Sequence, residues 1–366
     1  MNNITSIKLQ PLEPIITNFN NVLELFCDDK YSVLYALSSD GPINGLLKID
    51  LDQPKNMACY PGVFFTNSER KPISPKPFAC DYENNELFIN LEDQFGSFVF
   101  CTNLRKKVDS GIPLMSRITP PSGETTSGPV IYDSKRKRLY VVEQNPTPRI
   151  NVYYNRGKNY MYSIDLGDPI HDDVASMVLD EKTETLYFNN GFGGDSILKY
   201  FSVSGQGQPK INQIVFPYNG KFFGNRIIHD VEKYKIFVPI IADSADDNPN
   251  DTQYGVLVID TVSNQTIKFI TFSDVFDDYI YLTLDPVRGV LFALTSSWGG
   301  DLYVAPINTD TLDYTDIYST TVPGDNNGFF GFTIHVGETK DTLYCISNLH
   351  ENMIMPIDIT FGDTDN

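Results

Sequence analysis

One spacing, repeated seven times, limits what this chain can fold into. Two or three apolar residues lead into an Asp, five mostly polar residues follow, and then comes a Leu or Ile with a Tyr or Phe behind it. The copies run Asp28 to Leu34-Tyr35, Asp81 to Leu87-Phe88, Asp133 to Leu139-Tyr140 and Asp180 to Leu186-Tyr187. They continue with Asp230 to Ile236-Phe237, Asp285 to Leu291-Phe292, and Gly337 to Leu343-Tyr344. Successive Leu/Ile positions are 53, 52, 47, 50, 55 and 52 residues apart. A second apolar run follows in each copy and ends near an Asp or Asn, at 46–50, 98–103, 161–165, 197–202, 256–260, 302–308 and 353–358. A third run usually comes after it, as at 211–216 and 266–272.

Each unit therefore reads as a strand, a turn at the Asp, and three further strands. Asp suits the turn because its carboxylate can accept nearby backbone amides. Four strands at a period near fifty residues describe a propeller blade, and no helical periodicity competes with it. The expected fold is all-β: a single seven-bladed β-propeller over 1–366, with four antiparallel strands per blade. The blades are expected near 20–65, 74–120, 126–168, 173–217, 223–272, 278–322 and 329–359 plus 4–12. The seventh unit runs out of chain after its third strand, so the segment 4–12 is expected to supply its outer strand. Closing the ring in this way removes exposed sheet edges.

Repeats of the form D-x5-L-Y-V, followed by a short strand ending in I-D, resemble the YVTN and SMP-30-like β-propeller superfamily. The resemblance covers nearly the whole chain and is one of repeat, not of active site. That superfamily includes lactonases, lyases, dehydrogenases and non-enzymatic binding proteins, so the resemblance implies a fold and leaves open whether the chain is an enzyme. SMP-30-like enzymes hold a divalent metal with Glu, Asp and Asn side chains at channel positions. Glu143 and Asn190, three residues beyond the strand aromatic in neighbouring units, match two such positions. The cofactor the resemblance implies is a divalent cation, Ca²⁺ or Mg²⁺, which takes oxygen ligands.

Charge narrows the partners. The formal net charge of −19 argues against nucleic acid and against an anionic membrane. No stretch approaches the length of a membrane span, and the first fourteen residues lack the pattern of a secretion signal. The five cysteines contain no CxxC pair, which suits reduced thiols in a cytoplasmic protein. The expected partner is a small molecule at the mouth of the central channel, bound by a monomer.

Candidate site residues come from counting back along each innermost strand. Positions one and three before the turn Asp are almost all apolar and are expected to pack between blades. Positions two and four are mixed and are expected to face the channel. Their polar members cluster in units 5, 6, 7 and 1: Arg226, Tyr281, Thr283, Thr333, His335 and Glu24. Glu24 and His335 suit proton transfer, Tyr281 offers a phenol and Arg226 an anion binder. A lactonase-like hydrolase or a lyase would use Glu24, Arg226, Tyr281 and His335 catalytically. At the strand entries, Asp277-Asp278 fall between two Phe-Phe-Gly sequences that contain Phe223 and Phe330. Carboxylates between aromatic walls could hold a cation or an amine. Trp298, beside Gly299-Gly300-Asp301, could stack on a ligand or simply flank a tight turn. The four histidines are not spaced like the iron-binding set of carotenoid-cleaving propellers, and no GxSxG, HExxH or P-loop is present. The alternative to a small-molecule site is a protein- or glycan-interaction platform that presents loops such as 243–253.

Overall fold

The computed structural model describes residues 6–17, 21–40, 45–55, 57–61, 78–93, 96–103, 116–118, 128–143, 148–154, 159–167, 174–190, 197–224, 226–243, 252–272, 275–276, 279–297, 299–321, 328–338, 340–347, 350 and 352–362. Their strands form seven antiparallel sheets, numbered here in chain order. Sheet 3 shows the plan, running Val130–Asp133, Arg138–Glu143, Arg149–Tyr154 and Asn159–Asp165 from the axis outward. The innermost strands are Asn21–Asp28, Phe78–Asp81, Val130–Asp133 and Val174–Asp180 in sheets 1 to 4. In sheet 5 the strand is split into Lys221–Phe222 and Ile228–Asp230, and sheets 6 and 7 use Tyr281–Asp285 and Phe329–Val336. The sheets surround a central channel in an all-β propeller.

The turn Asp behaves as its side chain dictates. Asp28, Asp81, Asp133, Asp180 and Asp285 are completely buried and Asp230 nearly so. Each accepts the backbone N–H two or three residues on, as Asp133 does from Arg136 (2.9 Å) and Asp285 from Val287 (2.8 Å) and Arg288 (3.0 Å). Four residues past the Asp the chain turns left-handed, at Ser32, Asn85, Lys137, Glu184, Tyr234 and Gly289. The seventh unit has Gly337 in place of the Asp, and Asp341, four residues later, lends its carboxylate to the Gly337 N–H.

The Leu-aromatic pair has an equally simple cause. Buried apolar side chains fall into seven clusters, each between two consecutive sheets, and one joins sheet 7 to sheet 1. Successive residues of a strand point to opposite faces. In every unit the Leu or Ile enters the cluster on the preceding side and the aromatic enters the one on the following side: Leu139 packs with sheet 2 and Tyr140 with sheet 4. A side chain of each kind is needed on each sheet, so the pair recurs.

The same alternation corrects one expectation about the innermost strands. Positions one and three before the turn do pack against the preceding sheet, as Cys27 and Leu25 do against sheet 7. Positions two and four reach the channel, as Glu24, Phe26, Arg226 and Thr333 do, but they share its wall with positions one and three such as Leu25 and Met177. They also lean on the following sheet, as with Phe26 on Phe78 (centroids 5.4 Å apart), Val178 on sheet 5 and Ile228 on sheet 6. The innermost strand presents its edge to the axis, so both sets of side chains leave along the faces of the sheet.

Ile7–Pro11 pairs antiparallel with Ile357–Phe361 and forms the outer strand of sheet 7. Ile15–Ile16 pairs further along the same strand. Pro11 and Pro14, which lack N–H donors, bracket the gap between the two pieces. Cys27, Cys80, Cys101 and Cys345 are in no disulfide. No helix among the described residues is long and apolar enough to cross a membrane.

Candidate functional site

A cavity of about 560 Å³ lies on the axis, lined by the innermost strands of all seven sheets. Leu25, Phe26, Phe78, Ile131, Met177 and Val178 supply apolar wall, and Glu24, Arg226, Thr283 and Thr333 supply polar groups. The lining extends to Asp29, Glu181 and Val231, each one residue past its turn Asp. The described wall therefore runs toward the Asp turns. The opposite connections, where the sequence reading sought the mouth, lie in part outside the described residues.

Arg226 sits in a break that the sequence of sheet 5 makes unavoidable. Pro239 on the neighbouring strand has no N–H for the ladder, although its carbonyl still accepts from Phe223 (2.9 Å). Gly224 passes so close to Ile280 that a Cβ would lie 2.3 Å from that residue's carbonyl oxygen. Beyond the break, the Ile227 N–H donates to Ser176 Oγ of sheet 4 (3.0 Å). Freed from the ladder, Arg226 reaches across two sheets. Its Nε donates to the Leu282 carbonyl (3.1 Å) and its Nη2 to the Phe332 carbonyl (3.2 Å). Burial pulls its pKa down and the carboxylate of Glu24 opposes that shift. Arg226 thus braces sheets 5, 6 and 7 and faces Glu24 of sheet 1.

A second polar group occupies the seam between sheets 7 and 1. His335 Nδ1 lies 2.8 Å from Asp29 Oδ1, which also accepts the Val336 N–H (3.1 Å). Cys27 Sγ is 3.7 Å from the same oxygen, and the Cys27 N–H donates to Thr333 Oγ1 (3.3 Å). Donation to the Asp29 carboxylate raises the His335 pKa against the opposing effect of burial. Burial, reinforced by Asp29 and Asp28, pushes the Cys27 thiol well above its usual value. On the cavity wall, His229 Nε2 stands 3.6 Å from the buried Asp180 carboxylate, which Thr261 Oγ1 also contacts at 2.7 Å.

The predicted site residues divide accordingly. Glu24, Arg226 and Thr333 share the cavity, and His335 stands at the seam paired with Asp29. Tyr281 packs on Phe332 (centroids 4.7 Å) and Tyr279 (6.1 Å) and is not a lining residue. Phe223 stacks on Tyr279 (5.2 Å), and Phe330 packs against the sheet 7–1 core. Glu143 is buried within sheet 3, where Asn151 donates to it at 2.5 Å and Arg149 Nε lies 3.7 Å away. Asp277, Asp278, Trp298 and the side chain of Asn190 lie outside the described residues. The sequence reading missed Asp29 because it lies one residue beyond the turn. It assigned Cys27 and His229 to packing alone. Their shared offset near the Asp turn was the available signal.

No protein-family model matches the chain, and no curated protein matches it. Among solved structures, the WD40 domain of Toxoplasma gondii coronin is similar, with a TM-score of 0.63 over 99% of this chain and 88% of that one. The fold shared with that domain is a β-propeller. The identity is 13%, so the likeness concerns fold alone. In all, 766 solved chains match, which marks a widely used architecture that selects no activity.

Proposed function

We propose that the seven sheets are the seven four-stranded blades of one closed ring, and that this ring binds a small molecule in its axial cavity. The observation that carries the reading is the cavity itself. It has the size of an ordinary ligand site and apolar walls, with a few polar groups gathered on one side. Asp29 and Glu181 make the rim acidic, so a predominantly apolar molecule with a cationic group fits best. The resemblance to YVTN and SMP-30-like propellers is consistent with such a site. A hydrolytic or lyase-like step would fall to Glu24 beside Arg226.

A screen of amine-bearing apolar compounds by thermal shift tests this, repeated on Ala79→Trp, which fills the cavity from its wall. Binding by the parent chain and loss of binding in a folded Ala79→Trp protein are expected. Ligands that bind both proteins equally, or no stabilising compound at all, sink the reading. A second reading, a protein-docking face, draws on Tyr82, Val231 and Val287 at the Asp turns, exposed by 41%, 38% and 80%. Binding of a protein partner that survives Ala79→Trp but is lost on changing Val287 and Tyr82 to Ser would favour it.

A further inference from the structure

We propose that Cys27, Asp29 and His335 form a binding site for a zinc-type divalent cation at the ring seam. Cys27 Sγ, a carboxylate oxygen of Asp29 and a ring nitrogen of His335 all lie within 4.8 Å of one another. Ligand atoms around a four-coordinate zinc stand about 3.3–3.8 Å apart, given bonds of about 2.0–2.3 Å. The present separations of 2.8 and 3.7 Å to Asp29 Oδ1 need only small side-chain rotations to meet this.

The donor set chooses the ion. A thiolate, an imidazole and one carboxylate suit Zn²⁺ and its neighbours, whereas Ca²⁺ and Mg²⁺ require mostly oxygen. This differs from the oxygen-ligated cation expected at Glu143 and Asn190. The surroundings favour a cation, because Asp28, Asp52 and Asp341 are near enough to act on the cluster. The neutral thiol is no obstacle, since coordination itself expels the thiol proton. The Val336 N–H holds the Asp29 carboxylate and the backbone of Cys27 is tied to Thr333 Oγ1, so one ligand is held by its side chain and another by its backbone. Cys27 and Asp29 also line the axial cavity. Three protein ligands leave one coordination position, which a carboxylate, thiol or imidazole of a molecule in that cavity could complete.

The site shares Cys27 and Asp29 with the cavity wall, but its test needs no organic ligand, so its failure and that of the cavity reading are told apart. The full chain, freed of metal by a chelator and kept reduced, is titrated with Zn²⁺ against a chromophoric chelator and separately with Co²⁺. The expected result is about one equivalent bound. Co²⁺ should give a near-ultraviolet thiolate band and four-coordinate visible bands, both bleached by Zn²⁺. Cys27→Ser should lose the thiolate band, and Asp29→Asn and His335→Gln should weaken binding by about tenfold or more. The exposed control His350→Gln should behave as the parent. Less than half an equivalent bound, a six-coordinate Co²⁺ spectrum without a sulfur band, or variants that bind as tightly as the parent would each overturn the proposal. The parent spectrum reports the sulfur ligand even if a variant fails to fold.

Discussion

Asp341 shows what a single residue does when the repeat slips. It lies buried beside Asp285, and Arg288 Nη1 bridges the two at 2.8 and 2.9 Å. Burial and the Asp285 carboxylate raise the pKa of Asp341 from 3.8 to about 7, against the pull of Arg288. The folded state therefore holds a proton that the unfolded chain has already lost across this interval. The stabilisation is complete below about pH 4 and disappears as pH climbs toward 7. Asp341→Asn supplies a permanent N–H toward Asp285, so it should raise stability at pH 8 by about 1–2 kcal/mol and flatten the profile. Urea unfolding at pH 5 and pH 8 checks this, and an unchanged slope counts against it. Arg226→Ala leaves the Leu282 and Phe332 carbonyls without their charged donor and should cost about 2–3 kcal/mol. Arg226→Lys should recover only part of that loss, because an ammonium cannot reproduce the guanidinium fork. Equal urea midpoints for Arg226→Ala and the parent would contradict the bracing role.

At the scale of elements, the Asp turns and Leu-aromatic strands were legible because their causes are local. A carboxylate bonds amides two and three residues away, and alternate side chains take opposite faces. The innermost strands were half legible. Their apolar positions lean on the preceding sheet as expected, but the polar ones reach the following sheet: Arg226 to Leu282, Thr333 to Cys27, and His335 to Asp29. The polar bias of units 5, 6, 7 and 1 is therefore in part a set of braces between sheets. The break in sheet 5 was hidden because Pro239 acts from the next strand. The N-terminal strand carries its own test. Ile7 is buried in the core between sheets 6 and 7. Ile7→Asp should destabilise the chain by about 3 kcal/mol and free the edge of Met353–Phe361 for self-association. Melting temperature and concentration-dependent sedimentation check it; a monomer as stable as the parent refutes it.

The whole molecule carries a formal charge of −19 and links its Asp turns across neighbouring sheets by exposed pairs such as Lys182–Glu232 (3.1 Å) and Lys137–Glu83. Such pairs contribute little each, so repulsion across the surface should dominate the response to salt. Melting temperature should rise as salt goes from about 0.02 to 0.2 M, where the screening length falls to below about 10 Å; a fall would mean that the pairs outweigh the repulsion. Sequence by itself determined the repeated unit, its turns, its two-faced strands and the source of the outermost strand of sheet 7, because each follows from bonds and periodicities within a few residues or from counting strands. The site was decided by the tertiary structure. Cys27 and Asp29 meet His335 across roughly three hundred residues of chain, and Arg226 meets sheets 6 and 7 across a channel. Those distances close only when the last sheet packs on the first, and no local pattern encodes which side chains then face one another.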